Sequence, residues 1–179
     1  MPESLSELEG AVLGLIWRDG PMTAYAVRRE FVASSTSFFN GSAGSIYPLV
    51  RRLEAAGLIR SRDRRGDGRA TKELAATKAG ARALRAWIGP PIDDRWAGAT
   101  LDPIRSRVQF WQWMSAPEKR GFLDAAESAL ERELAREKET LRSIGADGAV
   151  EVRLVTESVI GIAKARLKWV RSLRNQATR

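Results

Sequence analysis

Two groups of cations stand out for the chemistry they could do: Arg51 and Arg52, then Arg62, Arg64, Arg65, Arg69 and Lys72, the second opposed mainly by Asp63 and Asp67. A guanidinium is a planar fork of N–H donors that matches a phosphate or the O6/N7 edge of guanine. That chemistry is recognition of a polyanion. Proton transfer and nucleophilic attack have no comparable candidates. The chain has no His and no Cys, and it carries neither a Gly-rich phosphate loop nor metal-ligand spacing. Its carboxylates sit mostly on helix faces beside basic residues. The chain reads as a non-enzyme, with no cofactor and no metal expected.

A net charge of +8 points the same way, because counterions released from a polyanion drive the association of Lys and Arg with phosphates. Charge alone leaves RNA, acidic lipids and acidic proteins open beside DNA. A hydrophobic fraction of 44% with 29% charged residues is globular, and 179 residues leave room for two small lobes. The longest apolar run, Ala11 to Trp17, is broken only by Gly14 and is too short for a signal sequence or a membrane span. Cytoplasmic residence and no membrane partner are expected.

The cations need elements to hold them. Leu8, Val12, Leu15 and Ile16 fall at helical spacing until Asp19-Gly20-Pro21 stops the helix near Arg18. Thr23 can cap a second helix carrying Tyr25, Ala26, Val27 and Phe31, with a polar loop from Ser34 to Asn40. A third helix starts near Ala43 to Ser45 and places Ile46, Leu49, Val50 and Leu53 on one face, with Gly44, Tyr47, Pro48, Arg51 and Arg52 pointing away. Pro48 is tolerated in a first turn, where its missing N–H has no intrahelical acceptor, and Gly57 ends the helix. Residues 58–65 and 69–76 then flank Gly66-Asp67-Gly68 as a hairpin. A helix from Thr77, with Ala81, Leu84, Trp87 and Ile88, closes the unit. Three helices followed by a basic hairpin is the order of a winged helix-turn-helix. Arginines on a wing are also commonly no more than a solvated edge. Arg51 could read guanine or hold a phosphate, and Tyr47 could touch DNA or pack on the second helix.

Gly20-Pro-Met-Thr-Ala-Tyr-Ala-Val27, the segment from Gly44 to Ile59 with its Gly-Ser-Ile-Tyr-Pro and Arg-Leu-Glu, and the Gly-Arg then Thr-Lys-Ala-Gly pattern from Gly68 to Gly80 resemble the PadR family of transcriptional regulators. The sequence departs from that family at Ala24, usually Gly, and at Lys72, Glu73 and Leu74, where aromatics are usual. The resemblance implies that Ser42, Ser45, Tyr47 and Arg51 sit on or beside the recognition helix and that the wing grips the adjacent groove. It also implies a dimeric repressor released by a phenolic or drug-like hydrophobic effector.

Residues 89–100, with two prolines, two glycines and paired aspartates, read as a linker between a domain over 1–88 and a helical region over 101–179. The fold expected is mainly α: an N-terminal winged helix-turn-helix with a small β-hairpin wing, and a C-terminal helical dimerisation region. Leu101 to Met114 reads as one helix, and Ser115 with Glu118 forms a capping box for a long second one. Along it Leu123, Ala126, Leu130, Leu134, Leu141 and Ile144 make a coiled-coil-like seam interrupted by Glu137. After Gly145 to Gly148 a last helix carries Val152, Val155, Val159 and Ile162. Two such stripes are more than one small lobe is expected to bury, so Leu123, Leu130, Leu134, Leu141, Val155, Val159 and Ile162 are assigned to a homodimer, which pairs two recognition helices across an inverted-repeat DNA operator. Trp87, Trp96, Trp111 and Trp169 are either packing residues or, as the resemblance implies, walls of a site for a small hydrophobic or aromatic effector. Lys164, Arg166, Lys168, Arg171 and Arg174 read as a solvated face. A winged helix that binds protein, and one that binds DNA without sequence preference, stand as the rival readings.

Overall fold

The computed structural model describes residues 5–34, 39, 42–64, 71–92, 94–145 and 149–177. They fall into two compact units, Met1–Gly98 and Ala99–Arg179, and each is built on its own core.

In the first unit, helix α1 (Glu7–Asp19) opens with a capping box in which Ser6 and Glu9 satisfy each other's backbone N–H groups. Thr23 caps α2 (Ala24–Ala33), as its position before the apolar run predicts. A single 3₁₀ turn, Ala43–Ser45, leads into α3 (Ile46–Ala55). Pro48 therefore lies in the first α-helical turn, where it costs no hydrogen bond. Gly57, at φ 69°, ends α3 in a Schellman motif, with Leu58 N–H donating to Leu53 C=O and Gly57 N–H to Glu54 C=O, both at 2.9 Å. Strands β2 (Ile59–Arg64) and β3 (Thr71–Ala76) form the wing, and α4 (Lys78–Ile88) follows.

One strand escapes the sequence reading. β1 (Met22–Thr23) pairs antiparallel with β3, Met22 opposite Leu74, and gives the sheet order β1-β3-β2. Two residues carry no period-two pattern; their pairing is set by a partner some fifty positions away, and β3 becomes the central strand. Val12, Leu13, Ile16, Val27, Phe31, Ile46, Leu49, Leu53, Ile59, Leu74 and Leu84 form one core, and burying each such side chain contributes roughly 1.5–3 kcal/mol. Closing the unit requires Gly80: a Cβ there would lie 2.0 Å from Leu58 O. Thr77 caps α4 while its hydroxyl donates to Gly57 C=O at 2.7 Å, so the Thr-Lys-Ala-Gly run is a packing device that seats α4 on the root of the wing. A short helix α5 (Asp94–Ala97) is the last described helix of this unit.

In the second unit the expected helix over Leu101 to Met114 is broken. Asp102 caps α6 (Pro103–Val108), because Pro103 fits only a helix start. The chain then tightens into a 3₁₀ turn over Trp111–Trp113. The Ser115–Glu118 capping box opens α7 (Ala116–Ile144) as expected. Helix α8 (Val150–Ser172) folds back along α7, and α9 (Arg174–Ala177) follows. Leu123, Ala126 and Leu130 of α7 pack with Leu167 and Val170 of α8. Glu137 interrupts the seam in chemistry but not in position, since it is buried while the seam residues on either side, Leu134 and Leu141, are half-buried.

Candidate nucleic-acid interface

Helix α3 keeps its two faces apart. Ile46, Leu49 and Leu53 are at most 2% exposed, while Tyr47 is 45% exposed and Arg51 is exposed with no hydrogen-bond or ion-pair partner among the described residues. Ser45 is exposed at the N-cap and makes no side-chain capping bond, so its hydroxyl is available to an outside acceptor. Ser42 is half-buried. Of Tyr47's two readings, packing on α2 is thus at best partial, because nearly half of the side chain faces solvent.

The adjacent arginine differs from Arg51. Arg52 Nε lies 3.6 Å from Glu9 Oε1 on α1. The Glu9 carboxyl is held below its ordinary value first by the Ser6 backbone N–H, then by the Ser6 hydroxyl and by Arg52, against the upward push of burial. Arg52 therefore ties α3 to α1 as well as presenting charge. Sequence spacing could not assign that role, since Glu9 is far away in the chain.

The wing splits its charges between two faces. The register puts Arg60 opposite Ala75, Ser61 opposite Leu74, Arg62 opposite Glu73 and Asp63 opposite Lys72. Side chains alternate along a strand, so Arg60 and Arg62 share the face away from the buried Leu74, while Lys72 lies on Leu74's face with Asp63 directly across. Arg60 is an exposed cation outside the group from Arg62 to Lys72 singled out in the sequence; its period-two spacing from Arg62 was the available signal. Arg64 pairs its backbone with Thr71, and its side chain, like Arg65, Arg69 and the Gly66-Asp67-Gly68 turn, lies outside the described residues. The described surface is thus Tyr47 and Arg51 on α3 and Ser45 at its N-cap, with Arg60 and Arg62 on β2.

A model described as the transcriptional regulator PadR-like family matches residues 12–86, which span α1 to α4. This part of the chain belongs to the PadR-like family of transcriptional regulators. No curated protein matches the chain. Among solved structures, Bacillus subtilis PadR in complex with operator DNA is 20% identical over 96% of this chain and 99% of its own, with a TM-score of 0.80. The same protein in complex with p-coumaric acid superposes with a TM-score of 0.73 at 19% identity over 96% of each chain. A PadR-like regulator from Bacillus cereus is 17% identical over 99% of both chains, TM-score 0.77. The Vibrio cholerae virulence activator AphA is 18% identical over 96% of this chain and 98% of its own, TM-score 0.72. At these identities the likeness is one of fold, and it runs through both units.

Trp87, Trp96, Trp111 and Trp169 do not share one environment. Trp87 packs against the first core, its indole lying over Gly10, where a Cβ would come 2.2 Å from Cε2. Trp111 and Trp169 pack against the cluster of the second unit, with Lys119 Nζ 5.4 Å from the Trp111 ring centroid. Trp96 is 49% exposed.

The residues assigned to a dimer differ in exposure. Leu123 and Leu130 are 0% and 3% exposed within the single chain, because α8 covers them, and Leu134 packs against the same cluster. These leucines hold α7 to α8 and have little surface left for a partner. Leu141 and Val159 are half-buried, while Val155 and Ile162 are 64% and 58% exposed. The basic residues near the end are largely committed inside the unit: Arg166 forks onto Asp102, Arg171 onto Glu127 and Glu131, and Arg174 onto Glu127 and Asp124.

Proposed function

We propose that this PadR-like regulator binds double-stranded DNA sequence-specifically as a homodimer and represses transcription by occupying an inverted-repeat operator. The observation that carries the reading is Arg51, which has no partner among the described residues and is exposed beside Tyr47 on the face of α3 opposite its buried one. Arg60 and Arg62 supply phosphate contacts from the wing. The operator complex of Bacillus subtilis PadR supports DNA as the partner, and its p-coumaric acid complex supports a small aromatic effector that releases it. Trp96, 49% exposed in the first unit, is the aromatic side chain we offer to such an effector. Cytoplasmic residence follows from this role; among the described residues no helix is long and apolar enough to cross a membrane.

The dimer face we assign is the outward side of α8. Thr156, Ile160, Ala163, Leu167 and Val170 are buried on one side of that helix. At about 100° per residue the opposite side carries Leu154, Val155, Ser158, Gly161, Ile162 and Ala165, all exposed. A helix apolar on both sides asks for two neighbours, and a second copy presents the same face by symmetry.

The test is a titration against fluorescent duplex covering the promoter upstream of the protein's own coding sequence, beside a scrambled duplex, at low and moderate salt. Promoter binding about a hundredfold tighter than to the scramble, with a steep salt slope, is expected. Equal affinity for both would favour sequence-independent binding. No binding to either at low salt would sink the reading and favour a protein-binding winged helix.

A further inference from the structure

We infer that Glu54 is a positioning residue for DNA recognition: its carboxylate clamps wing strand β2 to α3 at Ser61 and so fixes the angle at which helix and wing meet the duplex. The inference rests on the DNA-binding reading above.

Glu54 follows Arg51 by one helical turn and is exposed. A carboxylate beside a surface that must approach phosphates opposes binding by repulsion, so a bland solvated Glu is an odd occupant there. This one is engaged. Its Oε1 accepts the Ser61 backbone N–H at 3.2 Å and also the Ser61 hydroxyl. The backbone bond has a physical reason. With the order β1-β3-β2, β2 is an edge strand, and alternate N–H groups of an edge point away from the sheet with no ladder acceptor. Glu54 supplies the acceptor.

The position of the clamp matters more than its strength. The Schellman turn and the Thr77 hydroxyl hold Gly57 and Leu58, the root of the wing. Tied only there, a strand can swing about its root. Glu54 ties it again at Ser61, immediately before Arg62. Two anchors on one strand set its direction, so the cations of wing and helix are presented as one rigid surface. Once α3 has docked, the wing contact is then intramolecular, with an effective concentration that a loosened wing would lose.

The experiment compares the full chain with Glu54→Ala, Glu54→Gln and Ser61→Ala in two readouts. The first is amide hydrogen exchange at Ser61 without DNA, which is independent of the functional reading. The second is affinity for the promoter and scrambled duplexes. We expect Glu54→Ala to expose the Ser61 amide and weaken promoter binding about threefold to tenfold, the scale of one or two hydrogen bonds. The scrambled duplex should bind unchanged or tighter. Glu54→Gln, which keeps the acceptor and removes the charge, should retain both amide protection and promoter preference. Unchanged Ser61 exchange in Glu54→Ala would overturn the clamp even if the protein binds DNA. Tighter promoter binding by both Glu54 variants would overturn it too, since that is the signature of repulsion alone. Wild-type protein with a protected Ser61 amide but no promoter preference would instead count against the DNA reading and leave the clamp as a fold element.

Discussion

Arg51 and Arg52 are neighbours in sequence with different duties. Arg51 has no partner among the described residues, whereas Arg52 reaches Glu9. Arg51→Ala should weaken promoter binding by about 1–3 kcal/mol and relax the preference at one base pair if it reads guanine. If it holds a phosphate, it should weaken all duplexes alike and lower the salt slope by about one. Salt-dependent titration of promoter and point-mutated promoters separates the two. Gly80 marks the other kind of residue, where backbone approach decides. A methyl there would meet Leu58 O, which cannot yield without moving the wing root. Against a helix-propensity gain of about 1 kcal/mol, overpacking costs of roughly 1–3 kcal/mol should prevail, and Gly80→Ala should lower Tm by about 5 °C or more; an unchanged or raised Tm would contradict the close approach. Helical periodicity made Tyr47 and Arg51 legible from sequence. The Arg52–Glu9 tie and the Glu54–Ser61 bond were not, because both are set by how separate elements dock.

Elements were legible to the extent that their signals are local. The Ser115–Glu118 capping box, Thr23 as a cap, the helix start at Thr77 and Gly57 as terminator all stand where the sequence puts them. β1 was hidden because two residues carry no period. The apolar stripes of α7 and α8 were visible too, but periodicity does not say whether a stripe is answered within the chain or by another. The structure separates them, and a pair of substitutions tests the division. Leu130→Ala removes a buried side chain between α7 and α8 and should cost about 2–5 kcal/mol of stability. Ile162→Arg, on the exposed side of α8, should leave the helical content intact and shift the protein from dimer to monomer in sedimentation. If Ile162→Arg unfolds the chain and leaves any surviving species dimeric, the outward face of α8 is not the interface.

At the scale of the whole molecule, ionisation should govern stability and DNA binding through different variables. Without a single His, the chain has no side chain that ordinarily titrates between about pH 5 and 8. Its resolved carboxyl shifts run one way. At Asp102 burial pushes the carboxyl up, but the Arg166 guanidinium and the α6 N–H groups more than offset it and hold it below its ordinary 3.8. Glu127 lies below its ordinary 4.5 because Arg174 and then Arg171 donate to it. A carboxyl depressed in the folded state binds fewer protons there than in the unfolded chain. Its stabilisation is therefore fully present above the unfolded-state value and is lost as pH falls through the folded one. Tm should stay flat from about pH 5 to 8 and fall below about pH 4. Asp102→Asn isolates one contribution, since Asn still caps a helix but offers Arg166 no charge. The variant should melt below wild type at pH 7, and the gap should narrow on acidification as the wild-type carboxyl takes up its proton. A gap that does not narrow as pH falls would mean that Asp102 acts through shape alone. DNA affinity, carried by guanidinium groups that do not titrate in this range, should by contrast vary little from pH 5 to 8 and fall steeply with salt.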